Sequence, residues 1–519
     1  MMLSCILTVI KDEHLYLDEW IRYHLEAGVH HLFIFEDIGS LSHKEIADKY
    51  EDRVTLAPAL SILDENELSL VLDKRARNIS GGQKTYVKAG LRYIKDNYNY
   101  DWCFVIDVDE FITLGRGQDL DTILEGYKKY DAFVLSWKCY GANSLVMQPD
   151  YLCSGVVSAF TEVCKGRVPA TAPEQNKKTC YNLHTYQDSF WSTIHVPSDC
   201  CDFCNTVFKR DNKSVCYEKI YLRHYITKSW EEYFWKKKVR GYFYGRIRTS
   251  NAFFAMNPDL ITKKEILTNP KMLVVLPYRQ TKAQGNEIRL ALAGWKKFCK
   301  FEYEFAVVGD YDESLVREFP WVRFIGVNRV ANVEGQYMPH LDIQHKMEIA
   351  YDIYHSQYLG FIYMVDDNYA IKPFDLRDIM TIHYHQPSFI GVQSLPSSFW
   401  KHDKWKTRQL CDANGFSHVN YTTHFPCYFN FERFKALWDK LNMRNESYVP
   451  EDVYFNSYRH PQPVLDDEIR LGIWNKRIFD EQFDDVVKNP NIKFVCNSPE
   501  GWSPELETAL QRIIDEPAS

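Results

Sequence analysis

Trp102-Cys103-Phe104-Val105-Ile106-Asp107-Val108-Asp109-Glu110-Phe111 is an apolar run that ends abruptly in acids. Its length suits a buried strand and is too short for a buried helix, so the carboxylates belong where that strand leaves its sheet. Side chains alternate along a strand, which predicts Asp107 and Asp109 on one side and Val108 and Glu110 on the other. Two hard oxygen ligands would then converge on one point, the kind of site that holds Mg2+ or Mn2+ and leaves positions open for phosphate oxygens. An acidic turn closing a core strand would read the same way in isolation, so the elements around it decide.

Upstream, residues 3–10 read as a first strand and Leu15 to Ala27 as an amphipathic helix stopped by Gly28. His31 to Phe35 is a second strand, closed by Glu36-Asp37 and the turn residues Gly39 and Ser40. Strand, helix, strand implies a right-handed parallel crossover, and such sheets bind ligands at the carboxyl ends of their strands, where Lys11, Asp12, Glu13 and Asp37 fall. Gly81-Gly82-Gln83 then precedes a helix over about 84–96 that leads into the acid-tipped strand. Downstream, Phe133 to Gly141 is a strand running into a turn, and Tyr221 to Tyr225 precedes Ser229-Trp230-Glu231-Glu232, whose Ser and Glu three apart are a capping-box signature for a helix reaching about Arg240.

Residues 251–270, with Pro258 and Pro270, read as a linker between a first domain over 1–250 and a second over 271–519. The second repeats the plan of the first without repeating its sequence. Met272 to Pro277 is a strand with Arg279 just beyond it, Asn286 to Phe298 a helix, and Phe305 to Asp310 a strand with an acid at its tip. Ile343 to His355 is a helix carrying Lys346, and Phe361 to Val365 a strand ending in Asp366-Asp367-Asn368. The fold class is therefore α/β, two Rossmann-like, mostly parallel sheets in tandem, each with a strand-end site. Arg279, Asp310 and Lys346 are candidates for donor binding there, and Asp366, Asp367 and His424 for holding a metal. Glu451 and Asp452, in Val449-Pro450-Glu451-Asp452, could supply the general base that deprotonates an acceptor hydroxyl; the same residues also suit a helix N-terminus.

Lys11-Asp12-Glu13 through Glu19-Trp20 and the His24-to-Gly28 helix end, Phe35-Glu36-Asp37, Asp107-Val108-Asp109-Glu110-Phe111, and Arg223-His224-Tyr225 with Lys228-Ser229-Trp230-Glu231-Glu232 and Arg240-Gly241 together resemble the glycosyltransferase family 2/92-type domain of GT-A fold, over roughly residues 1–245. The resemblance implies a nucleotide-sugar transferase working by an inverting single displacement. In it Asp107, Asp109 and His224 would hold the Mn2+ or Mg2+ that bridges the donor diphosphate, and Glu13 and Asp37 would contact the nucleoside, with Lys11 and Gln83 beside them. The sequence departs from the family at Cys139-Tyr140-Gly141-Ala142-Asn143-Ser144, so no base is named for this half. Asn286-Glu287-Ile288-Arg289, Asp366-Asp367-Asn368 and the His424 segment resemble GT-A glycosyltransferases in general and, more weakly, the Stealth-type sugar-phosphate transferases, over roughly 271–480.

The resulting expectation is a bifunctional, metal-dependent enzyme with one Mn2+ or Mg2+ per site. It would move sugars from nucleotide-sugar donors, UDP-sugars first, to a glycan or glycolipid acceptor in surface polysaccharide or oligosaccharide synthesis. The alternatives for the second domain are a sugar-1-phosphate transferase and a non-catalytic glycan-binding module. The remaining composition agrees. A length of 519 residues fits two domains, 45% hydrophobic with 25% charged residues is globular, and a formal charge of -8 argues against nucleic acid as partner. No apolar stretch is long enough to span a bilayer, and Met1 to Ile10 followed by Lys11-Asp12-Glu13 without a small-residue cleavage site reads as a strand and not as a signal peptide. Of the 14 cysteines half lie between Cys153 and Cys216; a zinc site from Cys201, Cys204 and two of Cys180, Cys216, His184 or His195 is the minor reading. Reduced thiols in a cytoplasmic protein are the major one, with peripheral association at the inner face of the membrane as a further option.

Overall fold

The computed structural model describes residues 2–40, 42–76, 82–145, 148, 155–164, 177–190, 217–234, 236, 250–263, 271–327, 338–385, 399–458 and 464–516. Cys201, Cys204, Cys216, His195 and the Arg240-Gly241 helix end lie outside them. The chain divides into two compact units, Met1–Lys264 and Glu265–Ser519.

In the first unit the strands are β1 (Ser4–Ile10), β2 (His31–Glu36), β3 (Val54–Pro58), β4 (Trp102–Val105), β5 (Glu110–Leu114), β6 (Ala132–Cys139), β7 (Lys177–Asn182) and β8 (Ile220–His224). They form one sheet in the order β3-β2-β1-β4-β7-β6-β8-β5, whose first four strands are parallel. β7 then runs antiparallel to both β4 and β6, and β5 antiparallel to β8. Every residue of β1 is buried, the pattern of a central strand covered by helices on both faces. β3, at the sheet edge, was not anticipated: its residues are half-buried and its run of five is short, so no strong apolar signal marks it.

The Leu17–Glu26 helix shows why the residues quoted above for the resemblance are needed. Trp20, fully buried, donates from Nε1 to Glu110 O (2.8 Å) at the start of β5. His24 donates from Nδ1 to Trp20 O (2.8 Å) and accepts at Nε2 from Ile112 N (3.1 Å), so it is a neutral structural imidazole, and burial lowers its pKa to about 3. Glu19 accepts from Val156 N (2.6 Å) and Val157 N (3.2 Å). Gly28, at φ 97°, turns the chain toward β2 in a conformation that suits only glycine. Ser250–Met256, expected within a linker, is instead a helix of this unit: Phe253 and Phe254 are buried with ring centroids 4.9 and 5.4 Å from Trp230.

The second unit contains β9 (Met272–Arg279), β10 (Tyr303–Asp310), β11 (Val322–Gly326), β12 (Gly360–Tyr363), β13 (Asn368–Ala370), β14 (His383–Tyr384), β15 (Cys427–Asn430), β16 (Val464–Leu465), β17 (Arg470–Ile473) and β18 (Phe494–Asn497). Its main sheet runs β11-β10-β9-β12-β15, parallel apart from β15. The parallel part repeats β3-β2-β1-β4, with β9 in the place of β1 and β12 in that of β4. Small sheets β13-β18-β17 and β14-β16 complete the unit. Among the described residues no helix is long and apolar enough to cross a membrane.

Candidate active sites

The acids of the first unit lie on a turn and not along a strand. β4 ends at Val105, Ile106 N still donates to Leu7 O (3.4 Å), and the turn is closed by Asp107 N donating to Glu110 Oε2 (2.9 Å). Strand alternation therefore no longer sets the sides of these two acids. Asp107 accepts from Gln83 Nε2 (3.2 Å) and from Lys178 Nζ on β7 (2.7 Å). Asp109 accepts from Lys236 Nζ (2.9 Å), and its Oδ1 stands 3.6 Å from His224 Nε2 at the end of β8.

Electrostatics follow from burial. Burial raises Glu110 well above the carboxylate range, and Asp107 and Asp109 add to the rise. Lys178, though buried, is held above its ordinary value by Asp107 and Glu110. Burial alone would push Asp109 up, but Lys236, His224 and Lys228 hold it well below the usual range. Burial also lowers His224, leaving a neutral imidazole with Nδ1 unpartnered among the described residues.

These residues fit a divalent cation in part. Asp109 Oδ1 and His224 Nε2 face each other at a spacing too long for a hydrogen bond, and a carboxylate with an imidazole is a donor set suited to Mn2+. Asp107 is committed to Gln83 and Lys178. Among the described residues no three His, Cys, Asp or Glu side chains converge tightly enough to hold an ion. Glu13 and Asp37 sit as expected at the carboxyl edge: Glu13 N donates to His43 Nε2 (3.0 Å), and Asp37 N to Ile10 O (2.9 Å). Lys11 follows β1 directly. Ser229 and Glu232 make the expected reciprocal cap, Ser229 Oγ donating to Glu232 Oε2 (2.6 Å) and Glu232 N to Ser229 Oγ (3.3 Å).

In the second unit a cavity of about 850 Å³ opens at the carboxyl ends of β9 and β12. Arg279, Lys282 and Lys346 line it together with Asp342, Asp366 and Asp367. Lys346 Nζ donates to Tyr278 O (2.8 Å) and Asp342 Oδ2 (2.7 Å). Asp310, at the tip of β10, accepts from Gln280 N (3.3 Å) and is not among the lining residues. Gly309 before it has φ 152°, and a Cβ there would meet Tyr278 O at 1.9 Å, so only glycine lets β10 close on β9. Burial, then Asp367 and Glu287, raise Asp366 to about 8.

Register aligns the two turns. Met364 N donates to Val275 O (3.0 Å) as Ile106 N does to Leu7 O, which puts Asp367 in the place of Asp109, Asp366 in that of Val108 and Val365 in that of Asp107. Asp367 faces His424, 3.2 Å from Oδ2 to Nδ1, as Asp109 faces His224. Burial acts to lower His424, and Asp367 outweighs it, so the imidazole is raised. One acid–histidine pair is thus common to both units, and the second acid is not.

Glu451 and Asp452 part company. Both lie in the first turn of the Pro450–Asn456 helix. Asp452, fully buried, accepts from Lys404 Nζ, Tyr421 N (2.6 Å) and Thr422 Oγ1 (3.1 Å), which makes it an anchor and removes it as a base. Glu451 is raised by burial and acts electrostatically on Tyr363 and His424, so it belongs beside the acid–histidine pair. Lys178, Lys236 and Lys404 carry no local sequence signal, and Lys228 stands in the sequence only as part of the Lys228-to-Glu232 motif; Lys177-Lys178 opens a strand whose six residues are all buried, a placement that only the β4–β7 pairing makes visible. Cys180 is buried and free, and His184 is turned to Asp101 (2.7 Å), so neither faces a common ligand site.

An α/β sheet with charged groups gathered at the carboxyl ends of parallel strands, in this order, is consistent with a Rossmann-like, GT-A-type architecture. Residues 1–242 match the family model of glycosyltransferase family 92. No curated protein sequence matches the chain. Among solved structures, mouse Xyloside xylosyltransferase 1 in its apo form aligns at 12% identity over 45% of this chain and 100% of that chain, with a TM-score of 0.26.

Proposed function

We propose that the protein is a bifunctional glycosyltransferase that takes sugars from nucleotide-sugar donors, UDP-sugars first, at one site in each unit. The acceptor would be a glycan or glycolipid in surface polysaccharide or oligosaccharide synthesis. The observation that carries the reading is the repeated acid–histidine pair, Asp109 with His224 and Asp367 with His424, whose acids hold the same register position in two like sheets. Nine described cysteines are free thiols, which supports a cytoplasmic place.

In the first unit Asp109 and His224 would hold Mn2+ or Mg2+, with Asp107 and Gln83 beside them; in the second, Asp367 and His424 would, with Asp366 beside them. Such an ion offsets the charge that develops on a departing diphosphate. The chain's own groups do the rest. Lys11, Glu13 and Asp37 border the nucleoside of the first donor, and Arg279, Lys282 and Lys346 give the second cavity the cations a diphosphate needs. In a single displacement the acceptor oxygen bonds to the anomeric carbon as the bond to the diphosphate oxygen breaks, and the hydroxyl proton goes to a carboxylate. Glu451, its basicity raised by burial, is that carboxylate in the second unit.

A screen of UDP-, GDP- and CMP-sugars against the full chain, with Mn2+ and with EDTA, reads nucleoside diphosphate release. Release from at least one donor, lost in EDTA, is expected. Release of a nucleoside monophosphate would instead assign the sugar-1-phosphate transferase reading, and no release from any donor would end both.

A further inference from the structure

We propose that Lys228 is the diphosphate-binding cation of the first unit; this rests on the reading of that unit as a nucleotide-sugar transferase. Lys228 is 4% exposed, and its Nζ lies 3.9 Å from the centroid of the Tyr16 ring. Its φ of 51° is one that residues with a Cβ rarely adopt. An ammonium carries three donors, yet no hydrogen-bond acceptor stands against this one among the described residues, and an aromatic face returns less than water does.

The neighbouring charges do not complete it. The Tyr16 hydroxyl donates to Glu232 Oε1 (2.7 Å), and Glu232 is otherwise engaged by Ser229, so that carboxylate is used in closing the helix cap. Asp109 already takes Lys236 at 2.9 Å, and Asp107 takes Lys178. Glu13 lies nearby as a further negative charge. Lys228 and Lys236 thus lie together at the strand ends, with Asp109, Glu13 and Glu232 as the carboxylates around Lys228. A buried lysine with positive φ, held over a ring beside a second lysine, is a preorganised receptor for an anion, and at this edge of the sheet that anion is the diphosphate of the donor. Lys228 would contact the leaving group's oxygens and gain interaction as charge builds on them.

The test is photolabelling of the full chain by 5-azido-uridine diphosphate, read as labelled peptides from residues 2–263 and competed with inorganic pyrophosphate. Lys228→Met and Lys228→Gln keep the stem over Tyr16 and remove the charge; Lys228→Arg keeps the charge. The pyrophosphate concentration that halves first-unit labelling should rise at least tenfold in the Met and Gln variants and stay within about threefold in Arg. Equal competition in parent and Met variant, with circular dichroism unchanged, overturns the proposal and leaves the transferase reading standing. Loss of folding in both neutral variants also overturns it, since the lysine would then be a structural support. If parent protein shows no first-unit labelling at all, the nucleotide-sugar reading fails and the proposal with it.

Discussion

Replacing Lys178 by Met should cost the first unit about 3 kcal/mol, and more at high pH than at low. Lys178 has 1% of its side chain exposed and stands 2.7 Å from Asp107 Oδ2 and 3.8 Å from Glu110 Oε2, the latter fully buried. Removing one partner of a buried pair costs roughly 3–5 kcal/mol, because a charge is left without compensation. Asp107 is 37% exposed and can rehydrate, and the Met stem keeps its packing, so the lower end applies. At 2–4 °C per kcal/mol for a unit of this size, the first unit's transition should fall by roughly 6–12 °C.

The sign with pH follows from linkage. Lys178 is raised above its unfolded value, so its stabilising effect is complete at neutral pH and is lost only in strong alkali. Without it the buried Glu110, already raised in the folded state, loses the ammonium that acts to lower it and takes up a proton more readily folded than unfolded. The variant should then lose stability, relative to the parent, as pH rises from about 5 to 8. Adding Glu110→Gln should recover part of the loss at pH 8. Urea unfolding followed by tryptophan fluorescence at both pH values reads these terms. A loss below about 1 kcal/mol, or one equal at pH 5 and 8, would refute the argument that Lys178 compensates buried carboxylates.

The other predictions address single groups. Asp366 is raised in the folded state, so it binds more protons folded than unfolded, and stability should fall as pH climbs from about 4 to 8; Asp366→Asn should flatten that slope in pH-dependent melting of the second unit. Glu451→Gln should lower kcat for the second unit's transfer by 100-fold or more with little change in melting temperature. Asp452→Asn should lower the melting temperature, because Lys404 loses its buried partner; the reverse pattern in calorimetry and kinetics would exchange their roles. His224→Ala should weaken Mn2+ affinity in the presence of donor more than it weakens donor binding in EDTA, as isothermal titration would show.

Much of this fold is legible in the sequence, because the central strands β1, β4, β9 and β12 are short apolar runs with acids or turn residues behind them. The repeated plan is visible for the same reason. What escaped lies where signals are long-range or weak. β3 is a half-buried edge strand without a strong run, and Ser250–Met256 is a short helix whose Phe253 and Phe254 make sense only once Trp230 stands against them. Strand alternation does not set the sides of Asp107 and Asp109, because it holds only while a strand lasts, and β4 stops at Val105. The lysines that compensate those acids come from residues 71 and 127 positions away. No local pattern announces such a partner. Glu451 and Asp452 looked equivalent as neighbours on a helix start, and only the contacts of Asp452 with Lys404 and Tyr421 separate them.

The claim of two donor sites on one chain is tested most directly by the mass of the product made by the full chain from a panel of nucleotide sugars and acceptors, compared among the parent, Asp109→Asn and Asp367→Asn. Each variant should lose one sugar addition and retain the other. A product from Asp367→Asn identical to that of the parent would contradict a second active site, and no addition by the parent with any donor would contradict transfer altogether.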